Sequence, residues 1–251
     1  FVLVHGDRNA APPAEQHPEL DGALSARGWD ALTWVERRVY DVACNWKAFA
    51  DNYLDGGYHI AHMHPSLAAQ LDLDSYRTEI FEGCSVQTSG AASVGSDLLQ
   101  IDPADRIGPG SFYAYVYPDL MLNRYGPVLD TNLVLPKGPD RCEVIFDFFF
   151  DASVSDDAAY VEASVSQSET TQREDMAVSE SVQVGLRSGA YQAGPYAGVE
   201  QGTLHFHQLL ATDLRAAVGL APRVARGHGS PAHGAERDAP AAPEGVAGAE
   251  G

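Results

Sequence analysis

Between residues 76 and 150 the chain alternates apolar and polar positions with a period of two, as half-buried strands do. Segments 76–88, 111–117, 120–125, 131–135 and 142–150 carry the pattern, with β-branched and aromatic residues at many of their apolar positions. Turns at Tyr125-Gly126-Pro127 and Pro136-Lys137-Gly138-Pro139 space the later segments as an antiparallel meander, which predicts a strongly curved sheet. A further β-prone run, residues 32–40, precedes a helix around Trp46. Tyr113, Tyr115 and Tyr117 share one face of their strand, and Phe146, Phe148 and Phe150 repeat that spacing. Core packing is the ordinary use of such rings.

After Ser153 the period lengthens. Residues 156–188 contain no proline and only one glycine, Gly185. Val161, Val165, Ser168, Gln172, Asp175, Val178, Val182 and Leu186 recur there at spacings of three and four, which predicts a long helix with that stripe turned inward. Asp175 lies on the stripe, whereas Glu169, Glu174 and Glu180 lie off it. A buried carboxylate is costly unless it is paired or bound to a metal, so Asp175 is the candidate ligand among the four. Residues 203–214 form a last amphipathic helix, and the whole pattern is α+β.

Residues 44–65 hold the densest chemistry in the chain, with His59, His62 and His64 beside Asp51 and Asp55. Neutral imidazole nitrogen together with carboxylate oxygen suits a divalent transition metal. His59 and His64 are five residues apart, so on an unbroken helix they point roughly 140° away from each other. A shared metal therefore requires a break, which Gly56-Gly57 before the pair and Pro65 after it supply. Spacing alone leaves His62 open as a ligand.

The runs Asn45-Trp46-Lys47, Asp51-Asn52-Tyr53-Leu54-Asp55-Gly56-Gly57-Tyr58-His59 and His64-Pro65 resemble the iron-binding segment of the large subunit of Rieske non-heme iron oxygenases. That resemblance implies that His59 and His64 are the histidine ligands of one Fe(II), with a distant carboxylate as the third and His62 a bystander. Gln172-Arg173-Glu174-Asp175, the stretches 117–127, 130–136 and 179–186, and His205-Phe206-His207 are similar to the subgroup acting on quaternary ammonium compounds such as choline. The fold implied is a helix-grip catalytic domain, a curved antiparallel sheet against long C-terminal helices with an apolar cavity between them. The activity implied is O2-dependent hydroxylation of a methyl group on a quaternary ammonium substrate, yielding betaine aldehyde where that substrate is choline. The alternatives are hydroxylation or demethylation of an aromatic substrate, or a helix-grip binding domain without working iron. In this reading Asn52 sits beside the ligands, and Tyr115, Tyr117 and Tyr125 are candidate substrate contacts. Many members place an acid three residues before the first histidine, as a bridge to the 2Fe-2S Rieske cluster of a neighbouring subunit. Gly56 occupies that position here, which leaves Asp55 to serve. The resemblance further implies a ferredoxin or flavin reductase partner and a ring-shaped, trimer-type homo-oligomer.

Composition narrows the setting. With 35 acidic against 16 basic residues the formal charge is −19, which disfavours a nucleic acid or an anionic membrane as partner and suits a small cationic substrate. No apolar run reaches the length of a membrane span, and the beginning lacks a basic region followed by a hydrophobic block. The three cysteines, Cys44, Cys84 and Cys142, form no paired Cys–His motif of the kind a Rieske cluster requires. The expected organisation is residues 1–18 as the last strand of a Rieske domain (Phe1-Val2-Leu3-Val4) plus linker, residues 19–221 as the iron domain, and residues 222–251 as a disordered tail containing His228 and His233. The expected location is the cytoplasm in a bacterium or the plastid stroma in a photosynthetic eukaryote.

Overall fold

The computed structural model describes residues 8–93, 99 and 101–221; the expected strand at residues 1–4 and the tail from 222 lie outside them. Two short helices, α1 (Pro13–Gln16) and α2 (Pro18–Ser25), occupy and follow the segment read as a linker, and each begins at a proline whose missing N–H costs nothing there. Strand β1 (Thr33–Val42) leads into α3 (Trp46–Leu54), capped by the Asn45 side chain accepting from the Lys47 amide. The single turns α4 (Ile60–Met63) and α5 (Pro65–Ala68) follow. Next come β2 (Leu71–Phe81), β3 (Cys84–Ala91), the turn α6 (Pro103–Arg106), β4 (Ser111–Val116), β5 (Leu120–Tyr125), β6 (Val128–Gly138) and β7 (Arg141–Phe150). Two long helices, α7 (Ala158–Arg187) and α8 (Gln201–Ala217), end the described fold.

The strands form one seven-stranded sheet in the order β1-β7-β6-β5-β4-β3-β2, with every neighbouring pair antiparallel. From β2 to β7 this is the meander the turns predict. The expectation of a strongly curved, helix-grip sheet is corrected: the sheet is open, and β1 and β2 stand at opposite edges with no pairing that curls one toward the other. Alternation fixes which face a side chain takes and says nothing about how far a sheet bends. What remains of the expected class is α+β, an antiparallel sheet with C-terminal helices.

Period two divides the core. Tyr115, Met121, Tyr125, Val144, Phe146, Phe148 and Phe150 face α3, α7 and α8, while Val86, Phe112, Ala114, Leu122 and Leu129 face Leu20 and Leu24 of α2. On the helical side Phe206 of α8 is buried and meets Trp46 and Tyr115 edge-on at 5.7 and 5.6 Å. The stripe expected on α7 holds through Val165, Ser168, Gln172 and Asp175 and then departs from the sequence reading. Val182 and Leu186 are exposed, and Ser179 and Gln183 are the buried positions instead. The cause is local: Gln183 Oε1 accepts from the Asn45 amide and Glu180 from the Ala43 amide, so polar groups here satisfy the backbone entering α3.

Candidate metal centre

The site begins with a turn that only glycines can make. Gly56 and Gly57 have φ of +76° and +81°; a Cβ on Gly56 would lie 2.2 Å from the Val199 carbonyl oxygen, and one on Gly57 3.1 Å from the Tyr76 ring. Asp55 closes the turn, accepting from the Gly57 amide at 2.9 Å through Oδ1 and from the His59 amide at 2.9 Å through Oδ2. His59 opens the single turn α4; His64 ends it with φ −122° and ψ 72°, and Pro65 starts α5. That is the break which the five-residue spacing demands. The two rings lie 5.0 Å apart at 81° to each other. His62, on the same turn, is exposed and packs edge-on against Tyr58, away from the pair.

One ligand atom from each of His59, His64 and Asp175 falls within 4.8 Å of the other two. His64 Nε2 is 3.0 Å and His59 Nε2 3.6 Å from Asp175 Oδ1, which also accepts from Asn52 Nδ2 at 2.6 Å. The opposite ring nitrogens have carboxylates of their own: His59 Nδ1 meets Asp55 Oδ2 at 2.8 Å and His64 Nδ1 meets Glu174 Oε2 at 2.7 Å. A carboxylate behind each Nδ1 fixes the tautomer that turns the Nε2 lone pair inward and raises its basicity. Burial pulls both imidazoles down, but their hydrogen bonds to Asp175 and to Asp55 or Glu174 outweigh it, raising His64 and holding His59 at about 9. Burial pushes Asp175 up, and the two histidines more than reverse that, so its carboxyl lies below the usual range. Two nitrogens and one carboxylate oxygen on converging side chains are a donor set that fits a single ferrous ion with open positions. Glu174, which lies off the inward stripe, reaches this site from beside Asp175; the adjacency of two acids on one helix is the signal that could have found it.

A cavity of about 120 Å³ extends from these residues. Its walls include Tyr53, Tyr76, Tyr113, Tyr125 and Phe146. Of the three tyrosines singled out in the sequence, Tyr125 is on the wall, whereas Tyr115 and Tyr117 turn to α8, where both pack on Phe206 and the Tyr117 hydroxyl donates to Asp213. Asp130 also lines the cavity, fully engaged by Asn123, Asn132 and the Tyr125 hydroxyl at 2.7–3.0 Å. Burial is the main cause of its raised pKa.

The profile of the family described as "Ring hydroxylating alpha subunit (catalytic domain)" matches residues 29–216. The chain is 50% identical over 196 residues to the chloroplastic choline monooxygenase of Arabidopsis thaliana, covering 77% of this chain and 45% of that protein. It is 37% identical over 221 residues to the Beta vulgaris choline monooxygenase, covering 86% and 48%. It thus spans about half the length of the curated relatives it matches. The fold also matches the solved structure of a quaternary ammonium Rieske monooxygenase described in terms of carnitine oxidation, with a TM-score of 0.67, 21% identity, and coverage of 81% of this chain and 57% of that one.

Proposed function

This chain belongs to the family of ring-hydroxylating alpha-subunit catalytic domains, and from that membership we propose that it oxidises a small quaternary ammonium alcohol such as choline, using O2 and one ferrous ion. The observation that carries the reading is the convergence of His59 Nε2, His64 Nε2 and the Asp175 carboxylate beside an aromatic-walled cavity. These three would hold the iron, which when bound supplies the activation of O2. Asp55 and Glu174 hold the two rings in place, and Asn52 holds Asp175. A quaternary ammonium offers no hydrogen-bond donor, so the faces of Tyr53, Tyr76, Tyr113 and Tyr125 are the natural means of retaining it.

Balance places the reacting carbon. Choline, O2, two electrons and two protons give betaine aldehyde and two waters, with the new hydroxyl on the carbon that already bears one; the resulting diol loses water. Hydroxylating a methyl group would instead release formaldehyde and leave the alcohol, so this proposal replaces methyl attack for choline. The electrons are supplied by a Rieske cluster, passed through Asp55 across a subunit boundary of a trimer-type ring, and drawn from a ferredoxin or flavin reductase.

The test is anaerobic calorimetry on iron-reconstituted protein, comparing choline with its uncharged isostere 3,3-dimethylbutanol. Tighter binding of choline supports the reading, and equal affinity promotes the aromatic-substrate alternative. Failure to take up one equivalent of ferrous iron would return the domain to a binding role.

A further inference from the structure

Seven buried side-chain polar atoms among the described residues lack a hydrogen-bond partner, and Gln87 Oε1 is the one carbonyl oxygen among them. Gln87 is 1% exposed and lines the cavity beside the metal ligands. It stands in a row that crosses the sheet: Gln87 of β3 is in register with Tyr113 of β4, Tyr113 with Asn123 of β5, and Asn123 with Asp130 of β6, and all four line the cavity. Farther along this row the polar groups answer one another. Asn123 Oδ1 accepts from the Tyr53 hydroxyl at 2.8 Å, while Asn123 Nδ2 donates to Asp130 Oδ1 at 2.7 Å and to Asn132 Oδ1 at 3.0 Å. Asp130 Oδ2 accepts from the Tyr125 hydroxyl at 2.8 Å. Buried polar groups are almost always paired, so an unanswered oxygen on the wall of a cavity whose other amide and carboxylate oxygens are satisfied marks where a ligand's donor goes.

The amide cannot turn over to hide that oxygen. Gln87 Nε2 donates at 2.9 Å to the backbone carbonyl of Tyr53, one of the last carbonyls of α3, which no donor within the helix can reach. A flipped amide would set two carbonyl oxygens against each other. The same helix end fixes where the oxygen lies. Asn52, the residue before Tyr53, donates to Asp175, and Asp55, two residues after it, holds the His59 ring, so Gln87 is anchored at the metal end of the cavity. A quaternary ammonium has no N–H, so in a quaternary ammonium alcohol only the hydroxyl can donate to Gln87. We propose that Gln87 Oε1 accepts from the substrate's hydroxyl and thereby presents the carbon bearing that hydroxyl, rather than a methyl group at the ammonium end, to the metal. This rests on the oxidation reading above for the ammonium group; the hydroxyl contact stands on Gln87 itself.

Calorimetry on the full chain without metal, so that iron does not itself hold the hydroxyl, tests it with choline, (2-fluoroethyl)trimethylammonium and 3,3-dimethylbutanol. Fluorine is close to the hydroxyl in size and has no proton to donate. A buried acceptor left unanswered predicts that the wild-type protein binds choline about 10- to 100-fold more tightly than the fluoro compound. Gln87→Met should bring that ratio near one by weakening choline alone, and Gln87→Glu, protonated in so buried a place, should keep it. Equal wild-type affinity for choline and the fluoro compound overturns the proposal and leaves the oxygen to a bound water. A ratio that survives in Gln87→Met or is lost in Gln87→Glu overturns it as well, as does the absence of binding by either alcohol. If Gln87→Met does not fold, Gln87→Ala takes its place. The ammonium reading fails separately: 3,3-dimethylbutanol binding as tightly as choline, with the fluoro compound still weak and the Gln87 dependence intact, keeps the hydroxyl contact and removes the quaternary ammonium.

Discussion

Each metal-site histidine sits between two acids, Asp175 on one nitrogen and Asp55 or Glu174 on the other, so the metal-free site retains protons that a metal must displace. His59 is raised from 6.5 to about 9 in the fold. Its charged form therefore adds stability that is fully present below pH 6.5 and lost as pH rises through about 9. The melting temperature of metal-free protein should fall across that window. Ferrous affinity should rise across the same window, by about tenfold per pH unit for each proton released. Anaerobic titrations at two pH values within the window check this, and a pH-independent affinity would refute it. His59→Ala, His64→Ala and Asp175→Ala should each abolish ferrous binding measured by metal analysis, while His62→Ala keeps most of it. Asp55→Asn and Glu174→Gln should weaken binding by about 10- to 100-fold without abolishing it. Iron that survives loss of Asp175 but not of Glu174 would reverse the roles assigned to these two acids. Helical phase brought Asp175 to notice because an inward carboxylate among valines needs a partner. The same logic passed over Glu174, since an acid turned partly outward is ordinarily satisfied by water, and only the packing of α7 on the buried His64 shows that it is not.

The element that sets the site is the Asp55-Gly56-Gly57 turn between α3 and α4. Gly56→Ala must hold φ near +76° and push its methyl into the Val199 carbonyl, so it should cost about 2 kcal/mol or more and loosen iron binding. Gly185→Ala, in α7 with open space around it, should instead stabilise by up to about 1 kcal/mol. Urea unfolding of both variants checks the contrast, and equal effects would show that the turn's conformation is unimportant. The turn was legible as a break because two glycines and a proline bracket the histidines. The strands were legible from alternation, except that the pattern runs unbroken through Glu82-Gly83, where β2 in fact reverses into β3 at a glycine of φ +70°. Sheet curvature left no trace in the pattern. The second half of α7 misled for a definite reason: Ser179 and Gln183 are polar because that face serves backbone amides, while Val182 and Leu186 lie outside.

At the scale of the whole chain the proposed function raises the question of how electrons would reach the iron. Among the described residues no helix is long and apolar enough to cross a membrane, and the formal charge of −19 suits partners and substrates with positive charge. A Rieske cluster takes two cysteines and two histidines. The chain's three cysteines are all buried: Cys44 and Cys142 lie with their sulfurs 3.9 Å apart in one core, and Cys84 lies in the other. None pairs with a histidine in sequence, and the one cluster of candidate metal ligands found among the described residues is His59, His64 and Asp175. Iron held there under the proposed function would draw its electrons from outside these residues, which contain no ligand set for a Rieske cluster. The iron-loaded chain mixed with reductase, NAD(P)H, O2 and choline should therefore form no product above the background without protein. Supplying a polypeptide that carries a Rieske cluster and can dock at Asp55 should restore it. Mass spectrometry for betaine aldehyde, alongside NAD(P)H consumption, reads both outcomes. Sustained product from this chain and reductase alone would mean that electrons enter the mononuclear site directly, and would overturn the relay.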